Sequence, residues 1–127
     1  LGAIKTNVDS GVFQAVQEAA IGALGADQEC VADMCKTYQG RRDVMLEGLA
    51  ELGLEANTPK ATFYVWIKCP EGYSSSEFTG HILKNCGVVT TPGNGFGPTG
   101  EGYIRMALTV PEDRIREAIA RIQKAGY

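Results

Sequence analysis

Residues 90–109, TTPGNGFGPTGEGYIRMALT, constrain this chain more than any other stretch. Glycines at 93, 95, 97, 100 and 102 feed a run from Tyr103 to Leu108 that reads as a β-strand. Glycine frees the backbone to take φ > 0 and to approach another group closely. A single charge, Arg105, interrupts the apolar strand. An arginine there costs free energy unless something anionic pairs with it. Its planar fork suits a carboxylate or phosphate held through two parallel hydrogen bonds. The alternative is an arginine on the solvated face of an edge strand. The glycine loop just before it tilts the reading toward a ligand.

At 127 residues the chain suits one domain with a sizeable core. A net charge of −3 gives no electrostatic footprint for nucleic acid. No apolar run approaches membrane-spanning length and no signal peptide opens the chain, so a soluble, cytoplasmic protein is expected. Cys30, Cys35, Cys69 and Cys86 form no CxxC pair and His81 is the single histidine, which argues against zinc. Buried, reduced thiols are the expectation for the four cysteines. The first residue is Leu rather than Met, compatible with excision from a longer protein.

Taken in order, residues 1–11 carry turn chemistry, with Asp9 or Ser10 placed to cap the helix that follows. Helical spacing of apolar residues predicts one helix over Val12–Leu24, ended by Gly25, and a longer one over Asp27–Leu52, ended by Gly53. Gly40 and Gly48 inside the second suggest a kink or close packing. Ala61–Ile67, β-branched and aromatic, is the strongest strand signal. Ser74-x-x-Glu77 forms a capping box for a helix reaching about Asn85, with His81 on its outer side. Val88-Val89 reads as a short strand into the glycine loop, and Pro111 opens a final helix ended by Gly126. The fold class is α/β, an α+β sandwich. Two N-terminal helices precede a β-α-β-β-α unit, a mostly antiparallel sheet with helices packed on it.

Pro92-Gly93-x-x-Phe96-Gly97, then Gly100 to Thr109, resembles the C-terminal part of class I and II, fold-type I pyridoxal-phosphate aminotransferases. Lys5 to Gly11, Arg41-Arg42-Asp43 and the Phe63-Tyr64 strand match the same family in the same order, so the resemblance spans essentially the whole chain. Within it, Lys5–Gly11, Phe63–Trp66 and Gly100–Tyr103 are most similar to LL-diaminopimelate aminotransferases. The resemblance implies that Arg105 grips the substrate α-carboxylate, and that Asn7, Asp9, Ser10, Gly93, Phe96 and Gly97 line the active site. For Asp9 and Ser10, helix capping is the competing reading, as a solvated helix face with local ion pairs is for Arg41 and Asp43. Ala61 stands where many members carry glycine.

The same resemblance implies a C-terminal small domain over 1–127, with 1–53 as helices facing the large pyridoxal-phosphate domain and the partner of a homodimer, and 54–127 as the α/β unit. It implies transfer of an amino group between an amino acid, LL-diaminopimelate in the most similar subfamily, and 2-oxoglutarate, on the lysine pathway. The family's Schiff-base lysine lies in a Ser-Lys motif followed by Met-x-Gly-x-Arg, which this chain lacks. The chain alone is therefore expected to be inactive, with no catalytic residue of its own. Two other classes compete. A nucleotide module suits Gly93-x-Gly95-x-Gly97 poorly, because a strand rather than a helix follows the loop. A stand-alone amino-acid-binding regulatory module stays open.

Overall fold

The computed structural model describes residues 1–9 and 11–126. Eight regular elements follow one another: α1 (Gly2–Val8), α2 (Gln14–Gly25), α3 (Glu29–Glu51), β1 (Tyr64–Lys68), α4 (Ser75–Cys86), β2 (Thr91–Pro92), β3 (Tyr103–Ala107) and α5 (Glu112–Ala125). Two short 3₁₀ turns, Gly93–Phe96 and Pro98–Gly100, shape the glycine loop. The fold is α/β, as the pattern of apolar residues predicts. The contacts divide it into two compact units, Leu1–Asp33 and Met34–Tyr127.

The first unit differs from its sequence reading. Residues 2–8 are helical rather than a turn, with Thr6 Oγ1 donating to the Gly2 carbonyl at 3.0 Å and Asn7 Nδ2 to the Ala3 carbonyl at 2.7 Å. Ala3, Ile4 and Lys5 tolerate the helix well enough for these local bonds to close it. Phe13 stands at the N-cap of α2 with no side-chain cap, so Asp9 does not cap that helix. Asp9 instead ends α1, pairs with Lys5 at 2.8 Å and accepts from the Gly11 N–H at 2.9 Å. Neither α1 nor α2 buries a residue.

In the second unit β3 is the central strand of a three-stranded antiparallel sheet of order β1-β3-β2. Alternation sets the two faces. Val65 and Ile67 of β1 and Ile104 and Met106 of β3 point inward and are buried with Phe78 and Ile82 of α4, Ile115, Ile119 and Ile122 of α5, and Met45 and Leu49 of α3. Tyr64, Trp66, Tyr103 and Arg105 take the other face and stay half-buried. Gly48 is the point where α3 and α5 meet: a Cβ there would lie 2.8 Å from Ile119 Cγ1 and Cγ2. Close packing is thus what this glycine serves.

Two boundaries and one side chain's exposure differ from the sequence reading for physical reasons. Strand β1 begins at Tyr64, not Ala61, because Thr62 sits at φ 73°, outside any strand conformation. The short strand before the loop is Thr91-Pro92 rather than Val88-Val89, since Thr91 is the residue that comes opposite Arg105; Val89 is 81% exposed. His81 is half-buried instead of lying on the surface, its ring edge-on to Tyr73 with centroids 5.6 Å apart. The capping box at Ser74 is present, and Gly87 ends α4 in the left-handed conformation at φ 63°.

Candidate functional site

The outer face of the sheet carries the candidate site. Trp66 of β1 and Thr91 of β2 flank Arg105 in register. Placing β3 centrally removes the edge-strand reading of Arg105. Its guanidinium carbon lies 3.8 Å from the centre of the Tyr64 ring and 4.3 Å from that of Phe96. Phe96 in turn sits edge-on to Trp66 at 5.4 Å. Among the described residues Arg105 forms no ion pair. A half-buried cation surrounded by rings with no carboxylate beside it is a ready binder for an external anion.

Beside it opens a groove of about 590 Å³, lined by Asn57, Thr62, Tyr64, Trp66, Phe96, Thr99 and Tyr103 among others. Hydroxyl, amide and aromatic groups dominate this wall, and none of its residues is charged. A groove of that size and lining accepts a small organic ligand.

The glycine loop is held by backbone interlock. A Cβ on Gly93 would fall 2.0 Å from the Gly100 carbonyl oxygen and 2.6 Å from that of Tyr103; one on Gly100 would fall 2.0 Å from the Gly93 oxygen. Both positions are therefore closed to any side chain. Gly97, at φ 117°, turns the chain between the two 3₁₀ turns.

A second device clips this loop to the start of α4. The Ser75 N–H donates to Glu101 Oε1 at 2.8 Å, and the Gly102 N–H donates to Ser75 Oγ at 2.9 Å and to Glu101 Oε1 at 3.1 Å. Asn94 Nδ2 donates to Ser76 Oγ at 3.0 Å. The Ser75 N–H, joined by that of Gly102, holds the Glu101 carboxyl below the usual carboxylate range. Ser75 is fully buried. Sequence reading missed this clip, because nothing local marks a serine inside a capping-box segment as reaching residues 100–103. Sequence reading did not single out Tyr64 and Trp66 either: Tyr-Val-Trp-Ile is apolar throughout, and only the observed burial alternation places those two on the outer face.

The structure brings together Gly93, Phe96, Gly97 and Arg105. Asn7 and Asp9 belong to the other unit, both exposed and engaged locally; the Lys5 ammonium, with the Gly11 N–H, lowers the Asp9 carboxyl. Ser10 lies outside the described residues. Arg41 is not on a solvated face: half-buried, it donates to the Leu108 carbonyl at 3.1 Å and lies over Tyr38, tying α3 to the end of β3. Arg42 and Asp43 form the local ion pair expected of that helix, at 2.6 Å. All four cysteines are free, but only Cys69 and Cys86 are buried, and burial pushes both thiols up. Cys30 and Cys35 are exposed on α3, against the expectation that all four are buried. All six lysines are exposed, and none lines the groove beside Arg105.

Residues 3–122 match the family described as aminotransferase class I and II. The chain is 53% identical over 127 residues to an LL-diaminopimelate aminotransferase of Syntrophobacter fumaroxidans, covering all of this chain and 33% of that protein. A second LL-diaminopimelate aminotransferase, from Aquifex aeolicus, is 52% identical over 123 residues, 97% of this chain and 32% of that protein. Among solved structures, a probable N-succinyldiaminopimelate aminotransferase from Thermus thermophilus superimposes with a TM-score of 0.90 at 34% identity, covering 98% of this chain and 33% of that one. The chain thus spans about a third of the length of the curated relatives it matches.

Proposed function

The chain belongs to the class I and II aminotransferases, and from that premise we propose that it forms their substrate-gripping small domain, with Arg105 holding the α-carboxylate of the amino acid. The observation that carries this reading is Arg105 itself: a guanidinium on the central strand, without an ion pair among the described residues, beside a groove of about 590 Å³. Gly93, Phe96 and Gly97 shape the loop over it. The likeness to LL-diaminopimelate aminotransferases supports LL-diaminopimelate as amino donor; 2-oxoglutarate is our assignment for the acceptor.

The family's pyridoxal phosphate supplies an electron sink and a covalent anchor for the amino group when bound. The residues of this chain do not fit a covalent hold on it. Every lysine is solvent-exposed, and Lys68 pairs with Glu55 at 3.1 Å, so none has the desolvated setting that makes an amine nucleophilic at neutral pH. What these residues supply is binding and orientation. Arg105 fixes one end of the substrate by a bidentate contact, beside the aromatic wall of the groove. The cofactor-holding lysine, the large domain and a dimer partner for the apolar helices of residues 1–33 are assigned to the remaining two thirds of a protein of the relatives' length and to a second copy.

The test is Arg105→Lys in the full-length protein. Lysine keeps the charge and loses the fork. A charged hydrogen bond is worth about 1.5–3 kcal/mol, so kcat/KM for LL-diaminopimelate should fall by roughly ten- to a few hundredfold. Amines without a carboxylate should be affected far less. Undiminished activity on amino acids, or loss of pyridoxal phosphate instead, overturns the assignment.

A further inference from the structure

We propose that Tyr64 and Phe96 are positioning residues that hold the Arg105 guanidinium by its faces, so that its N–H edge is fixed and presented to a carboxylate before any ligand arrives. The proposal rests on the reading of Arg105 as the carboxylate grip. All five N–H donors of a guanidinium lie in its plane and none points out of it. Covering the faces with rings therefore forfeits no hydrogen bond, while it desolvates the cation and restricts the long side chain to few rotamers before any ligand arrives. The distances meet that description, at 3.8 Å to Tyr64 and 4.3 Å to Phe96.

Each ring is itself held. Phe96 meets Trp66 edge-on at 5.4 Å, and it belongs to the loop that Gly93 and Gly100 interlock. Tyr64 packs against Phe63 at 4.5 Å, which packs against Tyr38 at 5.8 Å. Thr62 adds an independent observation. Among the described residues it is the one non-glycine at positive φ, 73°, and it is β-branched. Such a conformation persists only where the surroundings over-determine it. Here the Leu108 N–H donates to the Phe63 carbonyl at 2.9 Å, registering the next residue against the end of β3. The Thr62 turn brings the chain into β1 with Tyr64 on the outer face, under Arg105, rather than in the core. The strain is spent on that placement.

The experiment uses the full-length protein and two readouts: KM and kcat for LL-diaminopimelate, and competitive inhibition by the dicarboxylate glutarate. Tyr64→Leu and Phe96→Leu should each raise KM by about three- to thirtyfold, the range of a desolvated cation–π contact, and by more than they lower kcat. Inhibition by glutarate should weaken by a similar factor. Tyr64→Phe and Phe96→Tyr keep the rings and should restore both. Phe96 is 49% exposed, so its variants test the idea without a core defect. If the leucine variants leave KM and glutarate inhibition unmoved while Arg105→Lys raises KM, the clamp is wrong and the grip stands. If Arg105→Lys moves neither, the grip is wrong and the clamp falls with it.

Discussion

Residues 1–33 and residues 34–126 are both rich in helix, yet only one of them has an interior. Among the described residues, all fifteen buried apolar ones lie between Met45 and Ile122. Of the large exposed apolar side chains, Leu1, Ile4, Val8, Val12, Phe13, Val16, Ile21, Leu24 and Val31 all belong to the first unit. Apolar side chains in helices are not enough to make a core. They need a counter-surface, which the second unit builds from a sheet and which the first has not got within itself. Short helices are marginal in water without such packing, and apolar surface on this scale marks a contact made elsewhere.

The sharpest test of that contrast is to separate the two. The 127-residue chain should self-associate or bind a hydrophobic dye, whereas a variant starting at Met34 should lose most of the dye signal. Equal dye binding by both would place the exposed apolar surface in the second unit and end the comparison.

Within the second unit the largest single-residue effect is expected at the loop interlock. Gly93→Ala drives a methyl group into two carbonyl oxygens that cannot move independently. It should cost about 3 kcal/mol or more, read as a fall in Tm or in the denaturant midpoint of the second unit. A stability unchanged within error would mean that the loop is not interlocked.

The same chemical change should have opposite signs in the two regions. A Cβ on Gly22 of α2 would meet nothing within 4 Å among the described residues, so Gly22→Ala should add helix content worth up to about 1 kcal/mol. Gly48 of α3 has Ile119 at 2.8 Å. Gly48→Ala gains the same propensity and meets a stiff β-branched neighbour in a packed core, where overpacking costs about 1–3 kcal/mol; a net loss is expected. Far-ultraviolet dichroism and thermal melts of the two variants would check this: a loss at Gly22 would show that α2 is packed as α3 is, and a gain at Gly48 that Ile119 gives way.

The smallest effect expected is on pH. Backbone N–H groups of Ser75 and Gly102 depress the Glu101 carboxyl in the folded chain. A depressed folded value means that the clip contributes above the ordinary carboxylate range, and that its contribution is lost as pH falls through the lowered value. Glu101→Gln should flatten this part of the acid limb of stability, and a limb of unchanged slope would show that the carboxylate does no such work.

Much of this was legible in the sequence. The capping box at Ser74, the stop at Gly87 and the β-branched and aromatic run through Tyr64–Ile67 are local signals, decided within a few residues by hydrogen-bonding capacity and side-chain type. The run around Arg105 carried the family resemblance, and the aminotransferase match bears it out. Local chemistry did not decide the rest. That β3 is central, that Gly48 meets Ile119, that Ser75 reaches Gly102, and that Arg41 reaches Leu108 are contacts between residues 12 to 71 positions apart. Thr62 shows the limit most plainly. Its residue type argues for strand, and the chain holds it at φ 73° because the pairing of Phe63 with Leu108 and the seat of Tyr64 under Arg105 together outweigh one residue's preference.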